Sequence, residues 1–157
     1  MSLPVIGWIG TGVMGRSMAG HLLAAGHRVV VHTRTRERAA ELLAKGAAWA
    51  DSPRAAADGA DVVCAMVGYP QDVEQAFLGP EGVLAGTHSP RLLIDFTTSS
   101  PALARRIAAA AAERGILSLD APVSGGDIGA RNATLSIMCG GSRSEEHTSE
   151  LQSRQYL

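Results

Sequence analysis

The 157-residue chain fits one ordinary domain, long enough to bury a core without metals or disulfides, and its 46% apolar content argues against a chain disordered as a whole. A formal net charge of -1 with 18% charged residues offers no basic field to a polyanion, so nucleic acid is not expected as a partner. Aromatic residues make up only 4% while alanine and glycine abound, which suits helices packed closely on a parallel sheet better than a β-sandwich.

Met1-Ser2-Leu3-Pro4 leads straight into a strand pattern with no basic leader, and no apolar run approaches the roughly 20 residues of a membrane span. The expected location is the cytoplasm. Residues 5–9 form a short apolar strand, and residues 13–25 place Val13, Met14, Met18, Leu22 and Leu23 at helical spacing until Gly26 stops them. Residues 28–32 contain three consecutive valines, a fully buried strand that closes a βαβ unit of about 30 residues. Thr35 is a cap candidate for a helix running to Ala44 and ending at Gly46. A short strand over residues 47–50, a brief helix after Pro53 and a buried strand over residues 61–67 follow. Residues 71–78 read as a short helix, residues 79–90 as a Gly/Pro-rich loop and residues 91–95 as a strand. Thr97-Thr98-Ser99-Ser100-Pro101 supplies cap candidates and a proline for an alanine-rich helix reaching Arg114, stopped by Gly115. Residues 116–120 are a further strand and residues 134–139 the last. Strands alternating with helices at this pitch predict an α/β fold, a Rossmann-type doubly wound, mainly parallel sheet. Cys64 and Cys139 lie inside apolar runs and read as buried core residues; no metal site is expected.

Gly10-Thr11-Gly12-Val13-Met14-Gly15 sits just after the first strand and at the start of a helix, where a dinucleotide fingerprint belongs. Gly10 permits the tight turn, Gly12 lets backbone N–H groups approach a pyrophosphate, and Gly15 lets the helix pack close to the sheet. Thr11, Val13 and Met14 offer backbone contacts, and the helix N-terminus favours negative charge. The acid that usually reads the adenosine ribose after the second strand is missing. His32-Thr33-Arg34-Thr35-Arg36 stands there instead. An arginine flanked by hydroxyls can neutralise a 2′-phosphate that a carboxylate would repel, so NADP is the expected cofactor and NAD the lesser one. Arg34 is the principal reader, with Thr33 and Thr35 in support and Arg36 as a further candidate. Arg36 and Arg38 read equally well as a solvated helix face pairing with Glu37 or Glu41.

In an open α/β sheet the ligand lies outside the carboxyl ends of the strands, which singles out three more segments. Met66-Val67-Gly68-Tyr69-Pro70 is expected along the ribose and nicotinamide side, with Met66, Val67 and Gly68 as the contacts, although core packing is the safer reading for Met66. Asp95-Phe96-Thr97-Thr98 puts hydroxyls beside a helix start. Asp120 through Gly126 ends in Ser124-Gly125-Gly126, whose hydroxyl and backbone N–H groups could hold a carboxylate, a plain glycine turn being the alternative.

Together with Ala133-Thr134-Leu135-Ser136-Ile137-Met138-Cys139-Gly140-Gly141 and the stretch Gly7 through Gly15, these segments resemble the β-hydroxyacid dehydrogenase family, which includes 3-hydroxyisobutyrate dehydrogenase and tartronate semialdehyde reductase. The resemblance covers residues 4–142, the NADP-binding domain of the type found in 6-phosphogluconate dehydrogenase. It implies that Thr98 contacts the cofactor near its nicotinamide ribose and that Ser124, Gly125 and Gly126 hold the carboxylate of a small substrate. It implies hydride transfer between NADP(H) and a short 3-hydroxy acid or semialdehyde, and a homo-oligomeric full-length protein that meets neither nucleic acid nor membrane. The family's catalytic lysine lies beyond the last strand read here, and Lys45, the one lysine of this chain, is not at that position. No catalytic residue is assigned, and the chain by itself is expected to be inactive. Imine-reductase-like enzymes, which share the glycine loop and the arginine-type second strand, are the alternative, as is a non-catalytic NADP-binding module.

From Arg143 the composition turns abruptly polar, and the string Arg-Ser-Glu-Glu-His-Thr-Ser-Glu-Leu-Gln resembles a translated sequencing adapter. Residues 1–142 are therefore read as the domain and residues 143–157 as an artefactual or disordered tail, with native sequence, including a helical C-terminal domain, missing after Ser142. A natural charged linker is the other reading. His147 with Glu145, Glu146 and Glu150 is accordingly not taken for a metal site.

Overall fold

The structure is a computed structural model in which residues 2–141 are described, so the predicted tail lies outside the described residues. The chain opens with strand β1 (Ile6–Ile9), helix α1 (Val13–Ala24) and β2 (Val29–His32). A single 3-10 turn, Arg36–Ala39, leads into α2 (Ala40–Ala44), β3 (Ala48–Trp49), α3 (Pro53–Ala57) and β4 (Val62–Ala65). Helix α4 (Pro70–Leu78), a 3-10 turn at Val83–Ala85, β5 (Leu92–Asp95), α5 (Pro101–Ala112) and β6 (Leu117–Asp120) complete the sheet. The chain then forms β7 (Val123–Ser124), α6 (Gly126–Asn132) and β8 (Ser136–Ile137).

Six strands pair in parallel in the order β3-β2-β1-β4-β5-β6, the doubly wound Rossmann arrangement expected from the alternation of elements. Because parallel strands are covered on both faces, their residues divide between two cores. Trp8, Val31, Cys64, Ile94 and Leu119 face one core with Met18 and Leu22 of α1 and Leu42 of α2. Ile9, Val63, Ala65 and Leu93 face the other with Phe77 of α4 and Leu103 and Ile107 of α5. Gly7 marks where α3 approaches β1: a Cβ there would stand 2.5 Å from the Ala56 carbonyl oxygen.

The order reverses between β1 and β4. The chain winds outward from β1 through β2 to β3, then returns across to β4 and proceeds the other way, so the helices that follow β1 and β4 lie on opposite faces. Their carboxyl ends diverge and leave a crevice at that point.

Two expectations change, and one helix is added to the predicted elements. Thr35 occupies the cap position of the 3-10 turn without its side chain making a capping bond. Residues 134–139 do not add a strand to the parallel sheet; Ser136–Ile137 pairs antiparallel with β7, and Gly140 bridges back to Asp120. The reversal follows from Ala133, whose φ of 54° ends α6 in the left-handed region and turns the chain back on itself. Residues 127–132, to which the sequence pattern assigns no element, form most of helix α6. Two of its seven residues are glycine and it ends on an asparagine, poor helix formers that local reasoning rejects. Packing supplies what propensity lacks: His21 of α1 donates from Nε2 to the Ala130 carbonyl at 2.7 Å, and Ala130 is buried in the first core.

Candidate functional site

The crevice between β1 and β4 is a cleft of about 970 Å³. Its floor is the glycine loop. Gly10 has a φ of +96°, and a Cβ there would collide with the Met66 carbonyl oxygen, so only glycine makes the turn while the loop after β4 passes alongside. A Cβ at Gly15 would collide with the carbonyl oxygen of Gly10, which is how α1 comes down onto the loop. Gly12 differs from both: nothing lies within 4 Å of a Cβ placed on it, and its φ of -67° is open to any residue. Its missing side chain therefore keeps space open on the ligand side.

The Gly10 carbonyl also accepts the buried indole N–H of Trp8 at 2.8 Å, fixing the loop from below. Sequence reasoning gave Trp8 no part in the site, though an indole two residues before the first glycine was the available signal. No side chain caps α1, and its first turn carries no acid, so the positive end of a 12-residue helix faces the cleft uncompensated. Thr11 is only 2% exposed, and its hydroxyl has no hydrogen-bond partner among the described residues. An orphaned buried hydroxyl, an uncapped helix start and an open space over Gly12 fit a bound pyrophosphate.

Twelve of the predicted cofactor residues line this cleft: Gly10, Thr11, Gly12, Val13, Met14, Gly15, Thr33, Arg34, Thr35, Met66, Val67 and Gly68. Thr98 is exposed just past β5 but does not line it. Ser124, Gly125 and Gly126 are exposed outside it as well, with φ of +135° at Gly125 and +62° at Gly126. Arg38, not Arg36, reaches the lining; the Arg36 guanidinium lies 5.4 Å from the centre of the Trp49 ring. Glu41 is engaged by Arg16 at 3.5 Å and Lys45 at 2.8 Å rather than by either of those arginines.

The cleft wall beside Arg34 is α4, entered through Tyr69; its Asp72, Gln75 and Ala76 line the cleft and were not assigned to the site by residue patterning. Asp72 accepts the Tyr69 N–H at 3.1 Å through Oδ2 and meets Arg34 Nη1 at 3.4 Å through Oδ1. A proline followed two residues later by an acid was the signal for that helix start.

Behind the loop after β4 lies a polar chain. Thr97, buried, accepts the Val67 N–H at 3.0 Å through its hydroxyl, and Asp95 Oδ1 accepts the Thr97 N–H at 2.9 Å. The cap of α5 is Ser100, which accepts the Leu103 N–H at 3.1 Å, so Thr97 braces the cleft loop instead of starting the helix. Burial pushes the Asp95 carboxyl up to about 6, against the pull of the Thr97 N–H, and the neighbouring Asp120 charge adds to the rise. Burial raises Asp120 too, and its Oδ1 has no hydrogen-bond partner among the described residues.

Residues 5–151 match the family model described as the NAD binding domain of 6-phosphogluconate dehydrogenase. The uncharacterized oxidoreductase YkwC of Bacillus subtilis is 54% identical over 138 residues, 88% of this chain and 48% of that protein. The structure of Mycobacterium tuberculosis 3-hydroxyisobutyrate dehydrogenase with L-serine superposes with a TM-score of 0.87 at 35% identity, covering 99% of this chain and 52% of that one. That of Psf3 in complex with NADP+ and 2-OPP gives 0.88 at 31% identity, covering 97% and 54%. The chain thus spans about half the length of the proteins it matches. With its glycine loop at the switch point of the sheet, it belongs to the 6-phosphogluconate dehydrogenase NAD-binding domain family and corresponds to the dinucleotide-binding domain of β-hydroxyacid dehydrogenases.

Proposed function

We propose that this chain is the NADP-binding domain of an oxidoreductase acting on a small 3-hydroxy acid or semialdehyde. The observation that carries the cofactor choice is Arg34, which follows β2 into the cleft with Thr33 and Thr35 beside it, where a ribose-reading acid is absent. When bound, the nicotinamide donates or accepts the hydride. The protein's own contribution here is binding and orientation: the glycine loop and α1 take the pyrophosphate, Arg34 the 2′-phosphate, and Met66 to Gly68 the nicotinamide side. Thr98 is assigned to the nicotinamide ribose and Ser124, Gly125 and Gly126 to the substrate carboxylate. The 3-hydroxyisobutyrate dehydrogenase likeness supports the substrate class, and the cytoplasm and a homo-oligomeric whole protein belong to the same reading.

The acid or base for the substrate oxygen comes from outside these residues in this reading. Lys45 sits at the end of α2, bonded to Glu41, and does not line the cleft. The 157-residue chain is therefore expected to bind dinucleotide and to turn over no hydroxy acid, with a helical domain completing the protein. Sequencing the gene through the junction after Ser142 tests the domain assignment: a gene stopping there removes the dehydrogenase reading.

Titration with NADPH and NADH tests the cofactor choice. NADPH binds more tightly to the parent chain, and Arg34→Asp reverses the order; equal affinities in the parent overturn the NADP assignment.

A further inference from the structure

We propose that Asp72 is a cofactor-specificity residue that opposes Arg34: its carboxylate competes with the 2′-phosphate for the guanidinium and lowers the preference for NADP. The inference rests on the proposed placement of the adenosine ribose beside Arg34. Arg34 leaves the end of β2 and Asp72 the first turn of α4, and their side chains meet at 3.4 Å across the cleft from positions 38 residues apart.

The two partners are held unequally. Asp72 is 14% exposed and anchored by the Tyr69 N–H, at the end of α4 where the helix dipole favours a negative charge. Arg34 is 83% exposed and makes no other ion pair among the described residues, so the guanidinium is the side that can be drawn away. A phosphate that takes Arg34 must break this pair, and it then stands about one guanidinium width from a fixed carboxylate. A ribose hydroxyl meets neither obstacle and can donate to Asp72. Among the other charged groups lining the cleft, Arg38 adds positive charge, whereas Glu81 is paired with Arg54 at 3.2 Å. The carboxylate missing after β2 is thus supplied in space by α4, beside the arginine that replaced it in sequence.

Asp72→Asn removes the charge and keeps an acceptor for Tyr69; Asp72→Ser does the same with a shorter side chain. Dissociation constants for NADPH and NADH are measured by calorimetry on the full 157-residue chain, with melting temperatures checking that each variant folds. Both variants are expected to raise the NADH-to-NADPH ratio of dissociation constants about tenfold, the effect of one charge on a nearby dianion in a water-like medium. The gain comes from tighter NADPH, and in an Arg34→Gln background it shrinks to the direct repulsion between carboxylate and phosphate, because competition for the guanidinium is gone. A ratio that stays unchanged or falls in either folded variant overturns the proposal. If Arg34→Gln itself leaves the ratio alone, the NADP reading fails; if it shifts the ratio while the Asp72 variants do not, only the role of Asp72 fails.

Discussion

Glycines 12 and 15 carry the same side chain for opposite reasons, and substitution separates them. Gly15→Ala drives a methyl into the Gly10 carbonyl and is expected to destabilise the fold by about 1–3 kcal/mol, the range for overpacking. Gly12→Ala meets no protein atom and adopts an ordinary φ, so stability should change by less than about 1 kcal/mol while dinucleotide binding weakens. Urea denaturation beside a binding titration checks both; equal stability losses would refute the distinction. At Asp95 the residue-scale effect depends on pH. Its folded pKa, about 6, lies above the ordinary 3.8, so the folded state binds the extra proton between those values. Stability therefore falls as pH rises from about 4 to about 6, by an amount on the order of 3 kcal/mol for a shift of that size, and raised Asp120 acts in the same direction. Asp95→Asn is expected to flatten this slope and to stabilise the chain at pH 7, read from denaturation midpoints across that window.

Among the elements, the loop after β4 depends on a neighbour that sequence order does not reveal. Val67 is tied to Thr97, the Thr97 backbone to Asp95, and so the cleft wall moves with the end of β5. Thr97→Val preserves shape but strands the Val67 N–H, at an expected cost of about 1–3 kcal/mol, with a larger loss of dinucleotide affinity than Ser100→Ala, which removes only a helix cap. Parallel denaturation and binding measurements on the two variants check this. The β1-loop-α1 unit was legible in sequence because its constraints are local: a strand run, glycines at fixed spacing and helical periodicity. The Thr97 brace was not, since a threonine opening Thr-Thr-Ser-Ser-Pro reads equally well as a cap. Helix α6 escaped for a related reason: its glycine-rich sequence has little local helical signal, and its support comes from His21, more than 100 residues earlier in the chain.

At the level of the whole molecule, alternating strands and helices disclosed a doubly wound sheet, and the order β3-β2-β1-β4-β5-β6 explains why residues 10–15 and 66–68 converge. Arg34 was identifiable by its position after β2, but its pairing with Asp72 depends on how α4 packs on the face of the sheet and has no sequence signature. The cleft gathers the ends of β1 and β2, the loop after β4, and helices α1 and α4, so a ligand seated there links segments from both halves of the sheet. Binding only to the folded chain, NADPH at 100 times its dissociation constant should add about 2.7 kcal/mol of stability. A thermal-shift titration checks it, and an unmoved melting curve at saturating NADPH would argue against a formed site.

Trp8 gives this assembly a built-in optical reporter. The chain has two tryptophans, and this one is 1% exposed directly beneath the glycine loop, its indole N–H held by Gly10, while Trp49 sits beyond β2 among His32 and Arg36. A reduced nicotinamide absorbs in the range where indole emits, so occupancy of the cleft is written into the protein's own fluorescence without any label. Replacing Trp49 by phenylalanine leaves a single emitter on the floor of the site, and its spectrum then reports the environment of the phosphate loop alone.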